Sequence, residues 1–128
     1  MNIFAIEGTS TRIDWKKSAR SLDNYRVVKM ILESAQMLST AHRVLDGDEY
    51  ADNVGLYKMA HKNHPSTIWT RSSEDHYIWL YELFRNLSIE FSNRYDKVHL
   101  SWKKLGFILD SLPKNIEDNG WEDPPQCM

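Results

Sequence analysis

Between Asp23 and Gly47 the chain runs NYRVVKMILESAQMLSTAHRVLDG, in which the polar residues Arg26, Lys29, Glu33, Gln36, Thr40 and Arg43 recur at alternating spacings of three and four. Helical neighbours sit three and four apart, so all six share one stripe. Val27, Val28, Met30, Ile31, Leu32, Ala35, Met37, Leu38, Ala41, Val44 and Leu45 cover the rest of the circumference. A helix that is apolar nearly all round is a central one. Asp23 supplies its N-cap and Gly47 its stop. A second long helix is expected from Ser72, which forms a capping-box pattern with Asp75, to about Tyr95; its apolar stripe is Leu80, Phe84, Leu87 and Phe91. Ser101 is the expected cap of a third helix, Trp102 to Leu112, stopped by Pro113.

The remaining segments carry weaker patterns. MNIFAI, with alternating bulky residues ended by Gly8, reads as a short strand or extended arm, and Thr9 to Arg20 as a short helix. Asp46 to Ser73 contains Gly47, Asn53, Gly55, Asn63 and Pro65 and reads as loop, with a turn of helix near Val54 to Ala60. At roughly 25 residues it is longer than compact domains usually leave unstructured, and long loops are often functional. From Lys114 onward, with Pro124 and Pro125, an irregular tail packing as an extended arm is expected. The fold class is therefore mainly α: a single-domain helical bundle over residues 1–128, with two long and two or more short helices, a short N-terminal extended arm or strand, and an irregular C-terminal tail at 114–128.

Composition narrows the class of partner. A chain of 128 residues can bury a core without disulfides or a structural metal, and its one cysteine, Cys127, excludes a disulfide framework within one chain. No apolar run approaches the roughly 20 residues of a membrane helix, and MNIFAIEGTS lacks a secretory pattern, so no membrane association and a cytoplasmic location are expected. Net charge is −2 and the lysines and arginines are scattered, which argues against gripping duplex nucleic acid and favours a small anion that needs only a few cations.

Three places gather the groups such an anion would use. The stripe of the first long helix is either a solvated strip with a Lys29–Glu33 ion pair or the floor of a polar cleft. In HKNHPSTIWTR, His61 and His64 are candidate acid–base groups, because imidazole as a side chain is suited to proton transfer near neutral pH, with Glu33 a further candidate. Pro65 forces an extended conformation on His64; Asn63, Trp69 and Arg71 offer an amide, a stacking face and a phosphate fork. The plainer reading is that Pro65 and Trp69 pin the loop to the core. In NRYDKVH, Arg94, Lys97 and His99 either complement the dipole of the second long helix or form a third patch. If the two long helices pack antiparallel, that patch lies near the start of the first helix. His42, on the apolar side, reads as a core histidine bonded to a backbone carbonyl. No HExxH pattern, acidic or cysteine cluster, Gly-rich phosphate loop or nucleophile elbow occurs, so neither metal nor cofactor is expected.

The segments VVKMILESAQMLSTAHRVLDG, YKMAHKNHPSTIWTR and NRYDKVH, with the MNIF start, resemble a family of small proteins carried by tailed phages. The resemblance covers most of the chain and implies an origin in an infected host cell rather than an established activity. Its polar signature falls on Lys29, Glu33, Gln36, His42, Arg43, His61, Asn63, His64, Trp69, Arg71, Arg94, Lys97 and His99. Asp96 departs from it, standing where glycine is usual, and the chain ends at QCM where the similar proteins continue. The function expected is binding of a nucleotide-like anion by Lys29, Glu33, Gln36, Arg43, His61, Asn63, His64, Trp69, Arg71, Arg94, Lys97 and His99, sequestering a nucleotide second messenger of host immunity. The alternatives are an enzyme that cleaves such a nucleotide, a glycosylase acting on damaged bases, and an inhibitor that binds a host protein through the tryptophans Trp15, Trp102 and Trp121. A shallow cleft on one helix pair is often completed by a second copy, so a homo-oligomer is allowed.

Overall fold

The structure, a computed structural model, describes residues 23–125. Among these there are five helices and no strand: α1 (Asn24–Asp46), α2 (Asp48–Val54), α3 (Pro65–Arg71), α4 (Glu74–Tyr95) and α5 (Leu100–Leu105). The expected N-terminal strand and the Thr9 to Arg20 helix lie outside the described residues. None of the described helices is long and apolar enough to cross a membrane.

The central position of α1 follows from its pattern, since it touches all four other helices. Asp23 caps it by accepting from the Arg26 N–H at 2.8 Å, and Gly47 ends it at φ 87°, a conformation that glycine adopts without strain. The long helices run antiparallel: His42 Nε2 meets Tyr77 Oη at 2.8 Å at one end, and Arg94 Nη1 donates to Asn24 Oδ1 at 2.9 Å at the other. Between these points Val27, Met30, Ile31 and Leu38 of α1 share the core with Tyr77, Leu80, Phe84, Leu87 and Phe91 of α4.

The stretch read as loop holds two helices. Asp48 and Glu49 open α2, where carboxylates favour the positive end of the dipole, and Gly55 closes it in the left-handed region. Pro65 is the first-turn proline of α3, with His64 as its cap. The turn expected at Val54 to Ala60 is instead a segment laid across the polar stripe of α1. Thr40 Oγ1 accepts from the Ala60 N–H at 3.1 Å, while Arg43 donates to the carbonyls of Leu56 at 3.1 Å and Tyr57 at 2.7 Å.

Ser73 rather than Ser72 caps α4, and Ser72 Oγ instead donates to the Trp69 carbonyl at 2.8 Å. Asp96 takes the left-handed C-cap of α4 at φ 55°, a conformation that favours glycine and that Asp tolerates better than most residues. The third expected helix is shorter: α5 begins after His99 and stops at Leu105. The turns beyond it are fastened by Tyr81 and Tyr77, whose hydroxyls donate to the carbonyls of Gly106 and Leu109, each at 2.7 Å. At Gly106 a Cβ would stand 2.7 Å from the Trp102 carbonyl oxygen, so no larger residue fits without movement.

The C-terminal segment is irregular as expected, yet strapped down. Asp46 accepts from the Lys114 and Asn115 N–H groups at 2.7 and 3.0 Å. Glu74 N–H donates to the Glu117 carbonyl at 2.9 Å, and Asn119 Nδ2 to the Ser72 carbonyl at 2.8 Å. These bonds place the strap across the ends of α1, α3 and α4.

Candidate functional site

The six-residue stripe of α1 divides in two. Thr40 and Arg43 are buried under the 56–60 segment, Glu33 and Gln36 are half-buried, and Arg26 and Lys29 are exposed. Arg43, expected to bind a ligand, is occupied within the fold: besides two carbonyls it holds Asp48 and Asp52, each at 2.9 Å from Nη1. Burial works against its charge, but the bonds to Asp48 and Asp52 outweigh it and raise its pKa. The Lys29–Glu33 ion pair is not formed among the described residues; the Lys29 ammonium lies back over the Tyr25 ring, 5.9 Å from its centre. Glu33 Oε2 is buried without a hydrogen-bond partner.

The 61–64 loop meets this exposed half. His64 lies within the electrostatic reach of both His61 and Glu33. His61 is held at φ 50°, an unusual conformation for a residue with a side chain, and its carbonyl accepts from the His64 N–H at 3.0 Å. Arg71 braces the loop from α3 by donating to the Lys62 carbonyl at 2.8 Å, and burial lowers its pKa. Asn63 is exposed. Arg71 also borders a hollow of about 340 Å³ with Leu45, Ile68, Ser72 and Asn119.

Hydrogen bonding decides what each histidine can do. His64 Nδ1 accepts from the Ser66 N–H at 3.2 Å, and His99 Nδ1 accepts from Ser101 at 3.1 Å. Each uses its lone pair as a helix cap, so in the neutral ring the proton resides on Nε2 and the group donates rather than accepts. His64 is thereby a poor general base. His76 uses both nitrogens: Nδ1 donates to the Trp69 carbonyl at 2.8 Å and Nε2 accepts from Glu122 N–H at 2.9 Å.

His42 differs. The Tyr77 hydroxyl has one hydrogen and gives it to the Leu109 carbonyl, so His42 Nε2 donates to Tyr77 Oη, leaving Nδ1 as a lone pair. That nitrogen is buried and meets no partner at good hydrogen-bond geometry, although the Ser111 carbonyl lies near enough to the ring to work toward a higher pKa against the larger effect of burial. A buried unsatisfied acceptor costs about 1–3 kcal/mol. The ring borders a cavity of about 370 Å³ whose other walls are Asp46, Tyr50, Ser111, Leu112, Lys114 and Asn115. These residues come from the end of α1, from α2 and from the C-terminal strap, so no spacing in the sequence announces them.

One further expectation is corrected. Trp69 is not a stacking face for a ligand: it is 6 % exposed, stacked on His76 with ring centres 4.2 Å apart, and its Nε1 donates to the Glu122 carbonyl at 2.9 Å. The sequence leaves open whether the three patches meet, and in the structure they stand apart. Arg94 binds Glu90 at 2.8 Å and Asn24 at the start of α1, whereas Glu33 lies nine residues further, about 14 Å along the axis. Lys97 is exposed and His99 packs edge-on to Phe91, in the Arg94 neighbourhood rather than at the loop. Among the described residues no group of three or more His, Cys, Asp or Glu is placed to hold a metal ion.

Burial lowers the pKa of His42, His64, His76 and His99. Each binds protons less readily folded than unfolded, where histidine titrates near about 6.5. The associated stability is complete above that pH and is lost as pH falls below it. The melting temperature is therefore expected to hold steady from about pH 8 to 7 and to drop by several degrees between about pH 6.5 and 5. A melting temperature that rose over the acidic interval would contradict this assignment.

No family model, curated protein or solved structure matches the chain.

Proposed function

We propose that this chain is a phage protein that binds a nucleotide-like anion where the 61–64 loop meets the exposed half of the α1 stripe, and that it serves to sequester a nucleotide second messenger of host immunity. The observation that carries the reading is Glu33, whose Oε2 is buried without a partner beside His64 and one helical turn from the exposed Lys29. An unmet buried acceptor is relieved by a ligand that brings a donor, and a nucleobase edge presents N–H groups of that kind. Lys29, His61 and the guanidinium donors of Arg71 not used on Lys62 supply charge and hydrogen bonds for phosphate oxygens. The binding set is thus Lys29, Glu33, Gln36, His61, Asn63, His64 and Arg71. The resemblance of this stripe and loop to tailed-phage proteins supports the origin.

Cleavage of the same nucleotide is the second reading, and Glu33 alone favours it, since His64 has its lone pair engaged. Thermal denaturation against cyclic dinucleotides, ADP-ribose derivatives, ordinary nucleotides and short damaged DNA separates the cases, with the released ligand weighed by mass spectrometry. Stabilisation by one small nucleotide recovered unchanged is expected. A changed mass makes the protein an enzyme, and a response confined to damaged DNA overturns the reading in favour of a glycosylase. Silence to the whole panel also overturns it. Lys29→Ala and Glu33→Gln should each weaken binding by about tenfold or more, about 1.4 kcal/mol, while Lys97→Ala leaves it unchanged.

A further inference from the structure

Asn119 and Gly120 are the chain's one Asn–Gly pair, and they stand in the irregular strap that crosses the ends of α1, α3 and α4. Asparagine is among the chemically labile side chains. The backbone nitrogen of the next residue can attack its side-chain carbonyl carbon and close a five-membered ring. A Cβ on that next residue hinders the approach, and glycine has none. Every other asparagine in the chain is followed by a residue with a side chain.

The structure leaves this pair open to that reaction. Asn119 is exposed. Gly120 has a positive φ of 78°, and a Cβ there would meet nothing within 4 Å, so the space round its backbone is free. Among the described residues no acceptor takes the Gly120 N–H, which leaves the attacking nitrogen unengaged. The Asn119 side chain is the group that must turn. Its Nδ2 donates to the Ser72 carbonyl at 2.8 Å and to Glu117 Oε2 at 3.3 Å, both in exposed surroundings where water can replace a broken bond. Neither residue belongs to a helix, so no ladder of backbone bonds opposes the turn.

We propose that Asn119–Gly120 is a self-modification site whose reaction unfastens the strap. The Gly120 nitrogen bonds to Asn119 Cγ, its proton passes to the departing amide nitrogen, and ammonia leaves behind a succinimide. Water then opens the ring at either carbonyl, giving aspartate or, with the main chain rerouted through the side chain, isoaspartate. Water is the one co-reactant. Both products lack the Nδ2 donor and set a carboxylate beside the Ser72 carbonyl and the Glu117 carboxylate, so attraction becomes repulsion. Isoaspartate also lengthens the backbone by one carbon just before Trp121 and Glu122, which hold the strap to Trp69 and His76. The strap therefore weakens as the protein ages. None of these residues belongs to the anion-binding set.

The test is peptide mapping by mass spectrometry of the intact chain, incubated at mildly alkaline pH beside a free peptide spanning Ile116 to Asp123. In the chain, Asn119 should convert no more than about tenfold more slowly than in the peptide, which corresponds to a local opening cost of about 1.4 kcal/mol. Isoaspartate should exceed aspartate, and the exposed Asn63 and Asn115 of the same digest should stay unmodified. Asn119→Gln keeps an amide donor but can close only a slower six-membered ring, and should block the reaction. Asn119→Asp isolates the consequence: its melting temperature should fall by about 2–6 °C, and its Glu122 N–H should exchange faster than in the parent. The proposal is overturned if Asn119 converts more slowly than that limit, if Asn63 or Asn115 converts as fast, or if Asn119→Asp melts with the parent.

Discussion

Replacing Arg43 by methionine is expected to lower the free energy of unfolding by roughly 2–5 kcal/mol, a large share of the stability of a domain this size. Methionine keeps much of the buried stem but removes donors from the Leu56 and Tyr57 carbonyls and from Asp48 and Asp52. The two carboxylates are 64 % and 58 % exposed and can return to water, so their lost ion pairs are a small part of the cost. The Leu56 carbonyl cannot, because its bond is buried, and a stranded acceptor there costs about 1–3 kcal/mol; the part-buried Tyr57 carbonyl adds less. Arg43→Lys should recover less than half of the loss, because a point charge cannot span partners arranged for a planar fork. Urea denaturation of the three proteins checks both statements, and a loss below about 1 kcal/mol for Arg43→Met would show that the segment does not depend on this residue. Release of the 56–60 segment would also loosen the adjoining 61–64 loop. A weakened ligand response in an Arg43 variant is thus expected without any contact between Arg43 and the ligand.

That case shows why the stripe was half legible. The spacing from Arg26 to Arg43 places six polar side chains on one line, and the structure keeps them there. What lies over the line depends on a segment more than ten residues away, so periodicity could not separate Thr40 and Arg43, which anchor backbone, from Lys29 and Glu33, which do not. The long helices were readable because their caps and apolar repeats are local. Helices α2 and α3 were hidden by residues that serve two purposes: Gly55 and Pro65 signal a loop in isolation, yet here one closes a helix and the other opens one. The start of α5 slipped for a related reason, since histidine is not a favoured cap and Ser101, the expected cap, instead bonds to Tyr57 Oη at 2.7 Å. The His42 cavity had no local signal beyond a histidine on an apolar face.

Trp69→Ala is expected to cost about 3–5 kcal/mol, the second large effect, and to act through the fold rather than through a ligand. In a seven-residue helix the period is too short to say which way a tryptophan faces. Its chemistry suits either a stacking platform or a core. The surroundings decide: Trp69 lies flat on His76 and meets the rings of Trp79 and Trp121 nearly edge-on, with centres 5.9 and 5.5 Å away. Its Nε1 bond to the Glu122 carbonyl, beside the His76 bond to the Glu122 N–H, ties the strap down from both sides of one residue. Alanine removes the ring that orients His76 and one of those two ties. Trp121→Ala, at a half-buried position on the rim, should cost about 1–2 kcal/mol. Amide exchange gives the clearest separation. In Trp69→Ala the N–H groups of Glu74, Asn119 and Glu122 should lose protection together, because their partners span the strap and the helices beneath it. If the variant instead kept its stability and strap protection while losing the nucleotide response, Trp69 would be a ligand contact after all.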